Sequence, residues 1–216
     1  LITGASSGFG AHFAQLLAAA GAEVVLAARR ADKLAELQQS LIAQGHKATV
    51  VSMDVSSSKS VHECFYQTGP CDIVINNAGI TVTRALLDQT EEDWDSVIDT
   101  NLKGTFHSVK AAVPYLKKSN QGRIVITSSI TGPFTAIPAL SHYGASKAGV
   151  VNMTKYFSTL WGPSGVRVNT LSPGGVLGGQ DEQFKAKYGS RVPLGRMAVP
   201  DDLTGPLVFL ATDASS

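Results

Sequence analysis

The opening stretch LITGASSGFG (Leu1–Gly10) decides the fold, because within ten residues it passes from an apolar run through a glycine turn into a helical pattern. Gly4, Gly8 and Gly10 let the backbone turn sharply and approach a ligand closely. The N-terminus of the helix that follows offers unpaired N–H groups at the positive end of a dipole. That combination suits a pyrophosphate. The spacing is GxxxGxG and departs from the GxGxxG of the usual dinucleotide fingerprint, but the strand, turn and helix that give such a turn its meaning are all present.

Outward from that turn, apolar runs alternate with helical patterns. They read EVVLAA then ADKLAELQQSLIAQG, KATVVSM then SKSVHECFYQ, DIVIN then EEDWDSVIDTNLKGTFHSVKAAVPYLKK, and RIVITSS, a helix from about His142 to Trp161, and VRVNTLS. The alternation implies an α/β fold, a Rossmann-type doubly wound parallel sheet in three α/β/α layers. Right-handed crossovers then place the ligand at the carboxyl ends of the strands. Residues 1–216 read as one domain. Within it, residues 174–200, rich in glycine and charge, form a long connection on the substrate side, either a lid or a surface excursion with a short helix.

The composition, 44% hydrophobic and 16% charged over 216 residues, is enough for one substantial core. A net charge of +1 and scattered basic residues give no reason to expect nucleic acid or an acidic membrane surface. No apolar stretch approaches the roughly 18 residues of a membrane span. Cys64 and Cys71 lack the spacing of a metal site or a redox dithiol, so no metal is expected and both read as small residues of a reducing, cytoplasmic compartment. The chain opens at Leu1 already inside an apparent strand and reads as truncated there.

The end of the second strand reads LAARR, with Ala28 where an acidic residue would accept bonds from a ribose 2′-hydroxyl, followed by Arg29 and Arg30. Arginine there accommodates a 2′-phosphate, which favours NADP(H) over NAD(H). The other reading is that the arginines merely begin a solvated helix. Asp54, after the third strand, either touches the adenine or caps the next helix.

Tyr143 and Lys147 stand four apart in SHYGASKAGV, on one face of a helix. A phenol of ordinary pKa near 10 is a poor acid at neutrality, and a neighbouring ammonium is expected to lower it. Tyr143 thus reads as a general acid or base. Alone the pair suits an unremarkable surface helix; Ser129, Asn101 and the glycine turn change that reading.

TGASSGFG, NNAG (Asn76–Gly79), NLKG from Asn101, Ser128–Ser129, YGASK (Tyr143–Lys147) and SPGG (Ser172–Gly175) together resemble a short-chain dehydrogenase/reductase over nearly the whole chain. The resemblance implies a strand order 3-2-1-4-5-6-7, hydride transfer with a nicotinamide, and a homotetramer or homodimer. By position it implies Tyr143 as acid/base and Lys147 as the residue that lowers its pKa and binds the nicotinamide ribose. Ser129 orients the substrate carbonyl, and Asn101 holds a relay water. The cofactor set is Gly4, Ser6, Ser7, Gly8, Phe9, Gly10, Arg29, Arg30, Asp54, Val55, Asn77, Ala78, Gly79, Tyr143, Lys147, Pro173, Gly174 and Val176.

The chain departs from the family pattern in four places. One extra residue separates Ser129 from Tyr143, the helix between Asp54 and Asp72 is about one turn short, Gly178 replaces a threonine, and the chain ends at ATDASS before a final strand. Ile130, Phe134, Ile137, Leu140, Val176 and Leu177 are expected around an apolar pocket for a small ketone or secondary alcohol, with Arg84, Lys185, Lys187 and Arg191 available to a carboxylate or left on the surface. His142 reads as a pocket-wall or surface residue. Sugar-acid or polyol dehydrogenases and 3-oxoacyl-carrier-protein reductases share the pattern; Asn120 and Ser164, where the latter carry arginine, weigh against the carrier-protein reading. A binding protein that has lost catalysis is the alternative of another class.

Overall fold

The computed structural model describes residues 1–216. The apolar runs become β1 (Ile2–Thr3), β2 (Val24–Ala28), β3 (Ala48–Ser52), β4 (Ile73–Asn76), β5 (Arg123–Thr127) and β6 (Arg167–Leu171). All pair parallel, in the order β3-β2-β1-β4-β5-β6. This is the implied order without a seventh strand. The direction of winding reverses between β1 and β4, and at such a reversal a crevice opens beyond the carboxyl ends of the strands.

Strands buried on both faces need apolar residues at successive positions, and β5 illustrates it: Ile124 and Ile126 join one core while Val125 joins the other. On the first face α3 (Ser58–Thr68), α5 (Gly104–Leu116) and α6 (Ser141–Trp161) contribute Phe65, Val109, Leu116, Val150 and Phe157. On the second, α1 (Gly8–Ala19), α2 (Ala31–Ala43) and α8 (Thr204–Ala211) contribute Phe13, Leu17, Leu34, Leu41 and Leu207. Each such side chain stabilises the fold by about 1.5–3 kcal/mol relative to exposure. The segment after α8 is fastened by the buried Arg123, which pairs with Asp213, and by Arg167, which donates to the Thr212 carbonyl at 3.2 Å.

The long helix expected after β4 is instead three pieces: α4 (Glu91–Val97), a π turn at Ile98–Lys103, and α5. Thr90 starts α4 through a capping box, its hydroxyl accepting from the Asp93 amide at 3.1 Å while the Asp93 carboxylate accepts from Thr90 at 3.0 Å. The π turn carries Asn101, whose buried amide is held from outside the helix, as shown below. Such turns concentrate at functional sites.

Residues 174–200 contain α7 (Glu182–Gly189), capped by Asp181, which accepts from the Phe184 amide at 2.7 Å. The excursion closes at its base, where Leu177 donates to Ala198 at 2.8 Å and Ala198 to Gly175 at 3.0 Å. The Arg196 guanidinium grips Asp202 there at 2.6 and 3.1 Å and, with the Val199 amide, holds that carboxyl down at about 2. No helix is long and apolar enough to cross a membrane.

Candidate active site

The crevice is a cavity of about 440 Å³ beyond β1, β2, β3 and β4. Its floor is the turn that opens the sequence. Gly4 has φ +69°, and a Cβ there would lie 2.8 Å from Ala78 Cα; a Cβ on Gly10 would overlap the Gly4 carbonyl and sit 2.7 Å from Asn77 Nδ2. Only glycine lets these two turns pack. Thr3 ties them together, its hydroxyl accepting from the amides of Asn77 at 3.0 Å and Ala78 at 2.9 Å.

Ser7 stands at the N-cap of α1 but its hydroxyl makes no capping bond. It accepts from Arg30 Nη2 at 2.6 Å, and Ser6 accepts from the same nitrogen at 3.0 Å. One guanidinium is therefore pinned over the glycine turn, and the helix end keeps its dipole free for an anion. Arg29 is exposed on the same wall. A positive helix end, two arginines and a glycine cradle fit the phosphates of a nicotinamide dinucleotide. Asp54 lines the cavity and does not cap α3: its Oδ1 accepts from the Ser56 amide at 2.9 Å, and Ser57 is the cap.

Tyr143 and Lys147 close the opposite end. The Lys147 ammonium lies 5.6 Å from the Tyr143 ring centroid and donates to the Thr127 carbonyl at 2.9 Å. Burial lowers its pKa to about 8. Burial also raises the Tyr143 phenol, while the nearby Ser129 hydroxyl, which accepts from the Thr131 amide at 3.1 Å, pulls the other way. The expected depression of Tyr143 by Lys147 is thus corrected: the ammonium sits over the ring, and desolvation wins.

Asn101 is buried, with Oδ1 accepting from Ile80 N at 2.8 Å and Nδ2 donating to Ile80 O at 2.9 Å and Ser146 Oγ at 3.1 Å. Ser146 in turn donates to the Tyr143 carbonyl at 2.7 Å. Both amide hydrogens of Asn101 are committed, so the side chain braces the loop after β4 against α6.

Of the expected cofactor set, Gly4, Ser6, Ser7, Gly8, Phe9, Arg29, Arg30, Asp54, Val55, Asn77, Ala78, Gly79, Tyr143 and Lys147 line the cavity. Gly10, Pro173, Gly174 and Val176 do not, Val176 being buried in the second core; nor do the expected catalytic Asn101 and Ser129. The expected substrate wall is open, with Phe134 73% and Ile137 47% exposed. Gly178 donates to Gln180 Oε1 at 2.7 Å. Arg84 is paired with Asp93 at 2.7 Å and Lys185 with Glu182 at 2.7 Å.

His142 is neither surface nor cavity wall. It is fully buried, near Trp94 at 6.4 Å between ring centroids, and neither ring nitrogen has a partner. Sequence reasoning also missed Thr127, a cavity residue whose buried hydroxyl oxygen has no partner. Its place at the carboxyl end of β5 was the available signal. Lysines scattered in sequence gather in space: Lys59, Lys110 and Lys118 border a second cavity, about 760 Å³, between α3 and α5.

The model of the family described as short chain dehydrogenase matches residues 1–188, and the chain belongs to that family. A 3-oxoacyl-(acyl-carrier-protein) reductase of Thermotoga maritima is 37% identical, over 100% of this chain and 91% of the relative. The gluconate 5-dehydrogenase of Gluconobacter oxydans is 36% identical, over 100% of this chain and 88% of the relative. Among solved structures, a gluconate 5-dehydrogenase from Burkholderia cenocepacia in complex with NADP and tartrate superposes with a TM-score of 0.93 at 31% identity, covering 99% of this chain and 88% of that one. The protein is an NAD(P)-dependent oxidoreductase that interconverts carbonyl and alcohol groups.

Proposed function

We propose that this oxidoreductase prefers NADP(H) and reduces small neutral ketones, with Tyr143 as the proton donor. The observation that carries the reading is the disposition of one cavity, with Arg29 and Arg30 at one end and Tyr143 with Lys147 at the other. A bound nicotinamide would supply the hydride, while the chain's own residues manage the proton and the developing charge. Tyr143, whose pKa burial raises, holds its proton at neutrality and can release it to a carbonyl oxygen. Ser129, near enough to lower the pKa of that phenol, would donate to the same oxygen as charge builds.

The Lys147 ammonium over the ring steers the phenol, and Asn101 fixes α6 through Ser146. The apolar side chains exposed beside the site, Phe134, Ile137 and Leu177, favour an uncharged substrate over a sugar acid. The gluconate 5-dehydrogenases and carrier-protein reductases among the relatives mark the competing substrate classes.

A cytoplasmic homodimer or homotetramer accompanies this reading. Phe106 on α5 and Tyr156 and Leu160 on α6 are 43%, 63% and 48% exposed, apolar area that a second copy would cover.

Fluorescence titration with NADPH and NADH, followed by a ketone panel, tests the proposal. NADPH-selective binding with turnover supports it. NADH preference would transfer support to the polyol and sugar-acid class, and cofactor binding without any turnover to a non-catalytic role.

A further inference from the structure

We infer that Tyr188, on α7, is a positioning residue: it latches the 174–200 excursion onto the SPGG turn and so sets the wall beside Ser129 and Tyr143. The inference rests on the reading of that end as the carbonyl site. The Gly175 amide donates to Tyr188 Oη at 2.6 Å, a bond from the middle of the excursion back to its root. The contact is built around absent side chains. A Cβ on Gly175 would sit 2.7 Å from Tyr188 Cζ and Cε2, and one on Gly174 would lie 3.0 Å from the hydroxyl and 3.6 Å from Ile130 Cδ1.

The turn it grips is continuous with the catalytic end. Ile130 donates to the Pro173 carbonyl at 3.0 Å, and Ile130 follows Ser129, whose hydroxyl accepts from Thr131 N at 3.1 Å and lies near enough to Tyr143 to lower its pKa. Without the latch, α7 is held on its outer side by little else: Phe184 stacks on Tyr188 at 6.4 Å and is 49% exposed, and Lys185 pairs only with Glu182 one turn away. The base of the excursion has its own fastening at Gly175, Leu177 and Ala198, so opening the latch would free α7 without unthreading the loop. The hydroxyl, having accepted from Gly175, keeps its own proton to donate.

Tyr188→Phe retains the ring and removes only the acceptor. Trypsin cleavage after Lys185, Lys187 and Arg191, followed by mass spectrometry with and without saturating NADPH, reads closure independently of turnover. In wild type NADPH is expected to slow cleavage, and Tyr188→Phe to lose about fivefold of that protection, the factor a lost hydrogen bond is worth, with Tm within about 2 °C. With ethyl acetoacetate as probe, KM should rise about fivefold while kcat falls less. Gly175→Ala, which keeps the phenol but pushes its ring away, should reproduce the loss of protection. Equal protection in wild type and both variants, or no protection in wild type, overturns the latch; so does a fall in kcat with lowered Tm and unchanged KM, which marks a merely structural contact. Wild type that is protected by NADPH but turns over no ketone would sink the carbonyl-reductase reading and leave the latch standing.

Discussion

Lys147 sets its ammonium over the Tyr143 ring, 5.6 Å from the centroid, yet its one hydrogen bond goes to the Thr127 carbonyl at 2.9 Å. The pair is thus held apart by the backbone of β5: the cation is close enough to steer the ring and is anchored elsewhere. The ammonium is buried and the phenol half-buried, and burial moves their pKa values in opposite directions, each toward the neutral form.

This arrangement makes stability depend on pH. Lys147 titrates at about 8 in the folded chain against an ordinary 10.5, so the unfolded chain binds more protons between those values. The burden of the buried charge is fully present below pH 8 and is relieved as pH rises toward 10.5, worth about 3 kcal/mol in all. Lys147→Leu should therefore flatten the rise. Cys64, pushed up to about 11, and Cys71 titrate in both proteins and cancel in the difference. Thermal melts of the two ligand-free proteins from pH 7 to 9.5 check it; parallel curves would mean Lys147 is not the group.

Removing the phenolic hydroxyl separates binding from chemistry. Tyr143→Phe should lower kcat by about 10²–10⁴, the range general acid catalysis supplies, while the NADPH Kd moves little. Single-turnover ketone reduction and fluorescence titration measure the two. Retained kcat would remove Tyr143 from the proton-donor role.

The arginines should separate the two cofactors. Arg29→Ala is expected to weaken NADPH by about tenfold or more, as for a lost hydrogen bond to a charged group, and NADH by far less, because only the former has a 2′-phosphate. Arg30→Ala should act on both, since Arg30 also holds Ser6 and Ser7 over the glycine turn. Titrations of each variant with each cofactor decide; equal losses in Arg29→Ala would strike it out as the reader.

At the floor of the crevice, Gly10→Ala should destabilise by about 1–3 kcal/mol or more, as overpacking does, because its methyl meets the Gly4 carbonyl and Asn77. A Cβ on Gly8, by contrast, meets nothing within 4 Å, and only its φ of +54° resists a side chain. Gly8→Asn, a residue that tolerates that region, should therefore fold with a Tm closer to wild type. Denaturant midpoints compare them.

What the sequence made legible was what periodicity and spacing encode. The two-sided apolar runs specified a parallel sheet, and the strand ends located Gly4, Arg29, Asp54 and Asn77 around one crevice. Contacts between distant segments were not encoded in that way. The π turn arises where Asn101 is bound by Ile80, 21 residues away, and an unbroken helical pattern gives no sign of it. His142 looked like a neighbour of the site because it adjoins Tyr143, but the helix turns it under Trp94. Tyr188 lay in a stretch without pattern, and its partner is a backbone amide, which has no signature in sequence.

The π turn at Ile98–Lys103 also sets the phase of everything after it. Each residue of an α-helix advances the chain by about 100°, so one residue more or less in those six rotates one half of the rod against the other. Deleting a residue there would restore regular helix and leave the composition of both halves intact. The faces of α4 and α5 would then no longer point inward together, and Asn101 would swing away from Ile80 and Ser146. The irregularity works as a timing gear: two helical surfaces and one buried amide mesh only at this count of residues, so indels in this segment should be tolerated far less well than point substitutions on its exposed side.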